Sequence, residues 1–472
     1  MNRDELLKLS KEEIIDLLLA IIQQQADKIA VLEACLNQNS KNSSKPPSSD
    51  GLKKPKSLRQ PSGKKAGGQP GHEGNGPRLM KEPDQHVDHK PQECLHCPRG
   101  TCYAKQSIQE TRYEIDINVS TVTTAHHAIR IKCPHSNEIL IGRFPPGINS
   151  TIQYGLNLEA LAVSLNTIGM VSVNRTHEIL NDVFGVPIST GTISAMVSNC
   201  ADKVARTVNE IKEAIITEPI IHVDETGIRV DKQTVWAHVA STDNLTYIAV
   251  EESRGKRGMD AIGVLLGYLG TAIHDCWASY FLYTAIRHGL CNAHLLRELV
   301  AVLENAKQIW AQALIDLLLE MKGIKEKLLS QNQQSPTPDS VRIYSLAYDK
   351  ILAEALAHNP VPVRDKTKRG KPARGKTGAL VDRLILYKDE YLLFFTDFNV
   401  PFDNNQAERD FRMFKVKQKV SGCFRSVEGA CDFAVIMSFI STARKRGFSA
   451  FSAIKDTLSG NPFSIQALLP TE

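Results

Sequence analysis

Three short segments, far apart in the chain, each carry a carboxylate where a strand or helix is expected to end or begin. Asp224 and Asp275 each follow a short apolar run, and Glu408 lies in a polar segment that predicts the start of a helix. Three carboxylates can hold two Mg²⁺ or Mn²⁺ ions, which activate water at a phosphodiester and stabilise the leaving oxygen. Carboxylates suit Mg²⁺ because it is a hard ion that prefers oxygen ligands. These residues therefore predict metal-assisted phosphodiester chemistry.

Two neighbouring acids compete with this assignment. Successive strand residues face opposite sides, so only one of Asp224 and Glu225 can join Asp275, and we assign Asp224 because Glu225 is expected to enter a turn. Asp410 lies two residues after Glu408, about 200° around a helix. It is therefore expected to face away from the site.

The segment around the first two carboxylates predicts a β-meander followed by a crossover strand. The predicted elements are strands at 220–223, 234–240 and 245–250, a helix at 259–269 and a fourth strand at 271–274. A parallel strand beside the first strand of a meander is the arrangement of the ribonuclease-H-like fold. We therefore expect an α/β multidomain protein with such a core, interrupted by an all-helical insertion before Glu408.

Basic residues are concentrated in particular segments, although the net charge of the 472 residues is only +5. Residues 41–81 hold ten Lys or Arg against two Asp or Glu, and residues 364–376 hold seven against one. Such blocks indicate a polyanionic partner, or else solvated linkers. Near the expected active site, the basic side chains predicted to contact DNA are Arg297, Arg412, Lys415, Lys417, Lys419 and Arg425.

The N-terminal segment predicts one helix from Glu12 to Leu36. Apolar residues recur there every seven positions, with a second interleaved set that contains one polar residue, Gln25. This a/d pattern is typical of a short coiled coil that oligomerises the protein. The alternative is an amphipathic helix docked on its own chain.

Cysteine and histidine spacing predicts a small zinc-ribbon-like module, with possible Zn²⁺ ligands Cys94, Cys97, Cys133 and His135. A strand is expected between the two cysteine pairs, at 113–119. Ser136 stands where a complete second knuckle would have cysteine, so His135 or Cys102 would substitute, or the metal is lost. The ten cysteines are otherwise expected to be thiols, because no signal segment or membrane span is evident.

Two pairs of residues near the expected site have open roles. Cys291 and His294 are spaced to bind metal from one helix face, or else to serve structure, with His294 hydrogen-bonded near the site and Cys291 in the core. Trp236 and Trp277 are either core residues or base-stacking residues. Trp277 is the better placed to approach DNA because it lies two residues after Asp275.

These patterns divide the chain into eight segments. They are a coiled coil at 1–36, a basic flexible arm at 37–83, the zinc-ribbon-like module at 84–147, a helical DNA-binding or linker subdomain at 148–217, the first part of the catalytic core at 218–298, the helical insertion at 299–380, the second part of the core at 381–446 and a tail at 447–472.

Several long motifs, in order, resemble those of the insertion sequence 66 family of transposases. They are Asn42–Asp50 and Gly67–His72 in the arm, then His222-Val-Asp-Glu-Thr-Gly227, Ser253-Arg-Gly255, His274-Asp-Cys-Trp-Ala-Ser-Tyr280, Leu290-Cys-Asn-Ala-His-Leu-Leu-Arg297 and Asn404-Asn-Gln-Ala-Glu-Arg409. The resemblance spans essentially the whole chain. It implies a Mg²⁺-dependent DDE transposase in which Asp224, Asp275 and Glu408 bind the metal ions.

The expected partners follow from this resemblance and from the patterns above. They are double-stranded DNA at the transposon ends and target, a second copy of the chain, and accessory proteins of the same element, in the cytoplasm at the nucleoid and without a membrane. One alternative is a catalytically silent or regulatory DNA-binding relative, against which the intact triad argues. Another is a stand-alone nuclease or resolvase, but the basic arm and coiled coil suit assembly of two DNA ends.

Overall fold

The computed structural model describes residues 10–39, 41–43, 82–87, 89, 108–117, 119–135, 138–362, 374–461 and 463. The chain forms two compact units, Ser57–Thr124 and the combination of Met1–Lys56 with Ala125–Glu472. The described residues of the smaller unit contain no helix or strand. All elements named below belong to the larger unit.

The described elements are seven strands and thirteen α-helices. The strands are β1 (Arg130–Lys132), β2 (Ile139–Ile141), β3 (Ile220–Val230), β4 (Gln233–Ser241), β5 (Thr246–Glu251), β6 (Thr271–His274) and β7 (Arg287–Leu290). The helices are α1 (Lys11–Leu36), α2 (Leu156–Thr167), α3 (Val173–Asp182), α4 (Thr190–Thr217), α5 (Lys256–Ile262), α6 (Asn292–Ala301), α7 (Trp310–Ser330), α8 (Pro338–His358), α9 (Gly375–Leu386), α10 (Lys388–Thr396), α11 (Asn405–Ser421), α12 (Val427–Lys445) and α13 (Ala450–Leu458).

A five-stranded sheet in the order β5-β4-β3-β6-β7 lies at the centre of the larger unit. Strands β3, β4 and β5 pair antiparallel, and β6 then pairs parallel to β3. The predicted meander and parallel crossover strand are therefore confirmed. Strand β7, parallel to β6, was not predicted.

Two details of the prediction are wrong. Strand β3 does not end at Asp224 but continues through Glu225 to Val230, because β4 pairs with it along that whole length. The helix expected at 259–269 is α5, which ends at Ile262, because Gly263 adopts a left-handed conformation with φ of 74°.

The two faces of β3 and β4 pack against different helices. Ile228 and Val239 belong to one apolar cluster with the buried face of α11 and α12. Val223 and Ala240 belong to another cluster, which includes residues of α4 and α5. Because strand residues alternate between faces, Asp224 lies on the α11 face of the sheet and its neighbour Glu225 lies on the α5 face.

Helices α2, α3 and α4 form the helical subdomain expected at 148–217. Helices α3 and α4 begin at serine caps, in which the Ser172 and Ser189 hydroxyls accept bonds from backbone N–H groups three residues later. The subdomain shares one apolar cluster with α12 and α13, and it therefore packs directly onto the elements that follow the sheet. Helix α13 lies within the segment predicted as a tail.

The segment between Asp275 and Glu408 is helical after β7, and its helices extend on both sides beyond the insertion predicted at 299–380. Helices α6 to α10 follow β7, and a short π-helical turn (Val302–Ala306) joins α6 to the following segment. Trp310, Leu318 and Tyr348 are fully buried in the apolar cluster of this insertion. That cluster also contains Ile273 and Leu290 of the sheet, so the insertion packs against the strands that lead to the second carboxylate.

Helix α1 begins at a capping box, in which the Ser10 hydroxyl accepts a bond from Glu13 N–H and the Glu13 carboxylate accepts one from Ser10 N–H. The predicted helix is thus confirmed. The apolar seam is between 51% and 85% exposed, and its members are Ile15, Leu18, Ile22, Ile29, Leu32 and Leu36. Within the described residues, no helix is long and apolar enough to span a membrane.

The cysteine-bearing segment differs from its prediction. Residues 113–117 and 119 form no strand, and Tyr113, Ile115 and Ile117 are exposed, so the alternating pattern has no apolar layer to pack on in the described part of the chain. The strands β1 and β2 instead pair antiparallel further on, beside Cys133. Cys94 and Cys97 lie outside the described residues, and zinc binding by this segment stays a prediction.

Candidate active site

Asp224 and Asp275 are placed by the parallel pairing of β3 and β6. The register pairs His222 with Ile273, so each acid lies two residues beyond this pair. Asp224 Oδ1 accepts a hydrogen bond of 2.9 Å from the Glu225 backbone N–H, and Asp275 Oδ1 accepts one of 3.0 Å from the Trp277 N–H. In each carboxylate the backbone thus fixes one oxygen and leaves the other available to a ligand.

Glu408 lies in the first turn of α11, and Asn404 anchors this end of the helix. The buried Asn404 side chain donates to the Val223 carbonyl at 2.9 Å, next to Asp224, and its Oδ1 lies 2.8 Å from His222 Nδ1. Its backbone N–H donates to Cys291 Sγ at 3.1 Å. Asn404 therefore links α11 to β3 and to the start of α6, and sequence reasoning missed this role.

The three carboxylates interact electrostatically across the site. Burial, followed by the negative charges of Glu225 and Asp275, raises the pKa of Asp224 well above its usual value, and Glu408 adds to this rise. Burial also raises the pKa of Glu408, although Arg297 opposes the shift. A cation between these groups would relieve their mutual repulsion.

His294 and Arg297 on α6 lie beside Glu408. His294 Nε2 is 3.6 Å and Arg297 Nη1 is 3.8 Å from Glu408 Oε1. Burial and the charge of Arg297 lower the pKa of His294, so the ring is neutral near pH 7. Cys291 is buried and accepts the Asn404 N–H, which is the structural role that the sequence left open for it.

Glu225, the rival of Asp224, has its own partners on the opposite face of the sheet. Its Oε1 accepts bonds from Arg254 Nε at 2.9 Å and Nη2 at 2.7 Å, and its Oε2 accepts the Tyr280 hydroxyl. Burial raises the pKa of Glu225 to about 7, against these stabilising bonds. Both oxygens are thus engaged, and this is a better reason for choosing Asp224 than the turn expected from the sequence.

Asp410, the rival of Glu408, faces away from the site as predicted. Its Oδ2 accepts bonds from Lys445 Nζ at 2.9 Å and from the Thr246 hydroxyl at 3.2 Å. Both side chains of the Lys445 pair are at most 13% exposed. Asp410 therefore belongs to a buried ion pair that joins α11 to α12.

Apart from Arg297, which lies beside Glu408, the predicted DNA-contacting residues fall into two groups. Arg412, Lys419 and Arg425 are exposed on or just after α11. Lys415 Nζ donates to the Gly227 carbonyl at 2.9 Å, and Lys417 Nζ donates to the backbone and side-chain oxygens of Asn166. Lys417 thus holds α11 to α2, and we leave it out of the proposed DNA path.

A fourth acid, Asp403, also lies near Glu408, and its charge raises the pKa of that residue. Sequence reasoning gave it no role, although it directly precedes the motif that contains Glu408. Among the described residues, no three His, Cys, Asp or Glu side chains converge on a single metal position.

His238 supports the loop next to Glu225, and its burial should make the free energy of unfolding fall at acid pH. Its Nε2 lies 3.1 Å from the Ser253 carbonyl, which can only accept, so this nitrogen carries the proton. Burial lowers the pKa of His238 from 6.5 to about 4. The stability it contributes is present above pH 6.5 and is lost as the pH falls towards 4, with a loss of about 2 kcal/mol between pH 7 and pH 5.

We expect a His238→Asn variant to lose less unfolding free energy than wild type between these two pH values, by about 2 kcal/mol. Urea titrations at both pH values measure this difference. The other histidines are present in both proteins, so the comparison with wild type isolates the effect of His238. An equal pH dependence in the two proteins would contradict the prediction.

The family model described as Transposase IS66 family matches residues 151–432, more than half of the chain, and this range includes Asp224, Asp275 and Glu408. A second model, for a family of unknown function (DUF6444), matches residues 2–78. No curated protein matches the chain.

Proposed function

Because this chain belongs to the IS66 family of transposases, we propose that it cleaves and joins DNA strands at the ends of an insertion sequence by two-metal-ion DDE chemistry. The observation that supports the proposal is that the β3–β6 register places Asp224 and Asp275 on neighbouring strands, while Glu408, in the first turn of α11, is near enough for its charge to raise the pKa of Asp224. The sheet order of the five strands supports a ribonuclease-H-like core.

The residues present fit Mg²⁺ or Mn²⁺. In the proposal Asp224, Asp275 and Glu408 would together hold two such ions. Three carboxylates suffice, because Mg²⁺ keeps several waters and also binds substrate phosphates rather than requiring a closed protein cage. When bound, the ions lower the pKa of the attacking water or 3′-hydroxyl and neutralise charge on the leaving oxygen.

The protein's own groups orient this site. The Glu225 and Trp277 N–H groups fix one oxygen of Asp224 and of Asp275 respectively, and among the described residues nothing donates to the other oxygen of either. Asn404 sets the position of α11, and Arg297 lies close enough to Glu408 to favour its ionised form. The exposed basic side chains that follow Glu408 would then neutralise phosphates of the bound DNA.

A Mg²⁺-dependent assay with DNA that carries the terminal inverted repeats tests the proposal. We expect cleavage at the element end followed by joining of the 3′-hydroxyl to target DNA. Binding without cleavage would favour the catalytically silent relative, and cleavage without joining would favour a nuclease or resolvase.

We also propose that α1 pairs with the α1 helix of a second copy. The exposed seam has isoleucine at three of its four a positions and leucine at two of its three d positions, a combination that favours two parallel strands. Such pairing would bring two active sites together, as joining two DNA ends requires. The alternative is docking on the same chain, and Asn42, just after α1, does donate to Glu304 of the π-helical turn at 2.5 Å, but the seam residues themselves are exposed.

An Ile29→Asp variant is expected to weaken this association at least about tenfold, because it buries an unpaired carboxylate in the seam. Gln24→Asp is the matched control, since it adds the same charge to an exposed position off the seam. Sedimentation equilibrium measures both. Equal masses for wild type and Ile29→Asp would contradict the proposed pairing.

A further inference from the structure

The ion pair between Glu225 and Arg254 leaves part of the Arg254 side chain exposed, and the sequence analysis assigned Arg254 no role. The Glu225 side chain is 1% exposed, whereas that of Arg254 is 41% exposed. Nε and Nη2 of Arg254 bind Glu225, and among the described residues no group accepts from its Nη1. One edge of the guanidinium is therefore fixed and another is available at the surface.

Two indole rings and a tight loop hold this guanidinium in place. The Cζ atom of Arg254 lies 5.0 Å from the Trp236 ring centroid and 4.2 Å from that of Trp277. Gly258 permits the close approach of the loop, because a Cβ there would lie 2.0 Å from the Ser253 carbonyl oxygen. An arginine fixed in this way loses little side-chain entropy when it binds a ligand.

The held guanidinium adjoins the proposed active site through Trp277. The ring of Trp277 stacks on Arg254, while its backbone N–H donates to Asp275 at 3.0 Å. We propose that Arg254 binds a backbone phosphate of the DNA strand next to the phosphodiester that is cleaved. This inference rests on the proposed function, and it extends that function by naming a contact on the α5 side of the sheet.

The exposure of Arg254 favours a phosphate contact over simple neutralisation of Glu225. Neutralisation of Glu225 uses only Nε and Nη2 of Arg254, and among the described residues Nη1 of this partly exposed side chain has no acceptor. Guanidinium donors match phosphate oxygens in geometry, and stacking on indole rings keeps the donors in the plane that they need. Arg254 would thus hold the strand while Asp224, Asp275 and Glu408 act on it.

The salt dependence of DNA binding tests this contact without requiring catalysis. Fluorescence anisotropy of the full chain with a labelled duplex, without divalent cation and from about 50 to about 200 mM KCl, gives the slope of log affinity against log salt. Loss of one phosphate contact reduces that slope by about 0.9. We expect this loss in Arg254→Gln, and we expect Arg254→Lys to retain the slope because lysine also neutralises one phosphate.

Arg254→Gln leaves the buried Glu225 carboxylate without its partner, which could disturb folding. The Glu225→Gln/Arg254→Gln double variant removes that unpaired charge. It should show the same reduction of the salt slope. Arg342→Gln, on the helical insertion and largely exposed, is the control that should keep the wild-type slope. A wild-type slope in both Arg254→Gln and the double variant would overturn the inference alone. Absence of any DNA binding by wild type would overturn the proposed function as well.

Discussion

An Asp224→Asn variant is expected to lose at least about 10³-fold in strand cleavage, equivalent to about 4 kcal/mol of transition-state stabilisation. Asparagine keeps the size of the side chain and the oxygen that accepts the Glu225 N–H. It removes a negative charge that would hold the ions in the proposed mechanism. Since burial and the neighbouring carboxylates raise the pKa of Asp224, its neutral replacement should not lower the free energy of unfolding.

Single-turnover cleavage of DNA carrying the element ends, with Mg²⁺ in excess, measures the effect. Asp231→Asn is the matched control, because it makes the same chemical change at the exposed turn that ends β3, where asparagine tolerates the positive φ of 50°. DNA affinity and thermal unfolding should match wild type in both variants. If Asp224→Asn cleaves DNA at the wild-type rate, Asp224 is not a metal ligand and Glu225 becomes the candidate to test.

The elements that carry the site were predictable because they depend on local pattern. Short apolar runs indicated β3 and β6, and the helical period placed Asp410 away from Glu408. The direction of β6 followed from the helix that separates it from the meander. Each of these inferences uses only residues close together in the sequence, together with the geometry of one strand or one helix.

The contacts that fix the site could not be predicted in the same way. Asn404 bonds to His222 and Val223, which lie more than 180 residues earlier. Arg254 reaches Glu225 from a loop that is 29 residues away in sequence. No local pattern distinguishes these polar residues from ordinary loop or capping residues, because their partners are supplied by tertiary packing.

Lys417 illustrates the opposite error. Its place in a basic stretch after Glu408 predicted a DNA contact, but its ammonium group bonds to Asn166 of α2. Burial lowers the pKa of Lys417 to about 8. Charge in the sequence identified the basic surface as a whole, whereas the helical subdomain packed on α11 determines which side chains remain available to DNA.

Removal of the Asp410 carboxylate is expected to produce the largest loss of stability, because its partner Lys445 is buried. Breaking a buried ion pair costs about 3–5 kcal/mol when one charge is left without its counterion. Lys445 keeps two carbonyl acceptors, Thr242 at 2.7 Å and Leu245 at 2.9 Å. We therefore expect Asp410→Ala to lower the free energy of unfolding by about 3 kcal/mol, at the lower end of that range.

Urea unfolding at pH 7 measures this loss, and two other variants serve as comparisons. Glu210→Ala breaks the exposed pair with Arg206 and should cost less than about 0.5 kcal/mol. Glu408→Gln, two residues from Asp410, should abolish cleavage but leave unfolding near wild type, because burial and the charge of Asp403 offset the attraction of Arg297 for the Glu408 carboxylate. If Asp410→Ala unfolds like wild type, the Lys445 pair does not hold α11 against α12. If it also loses cleavage while remaining fully folded, Asp410 takes part in the chemistry that we assign to Glu408.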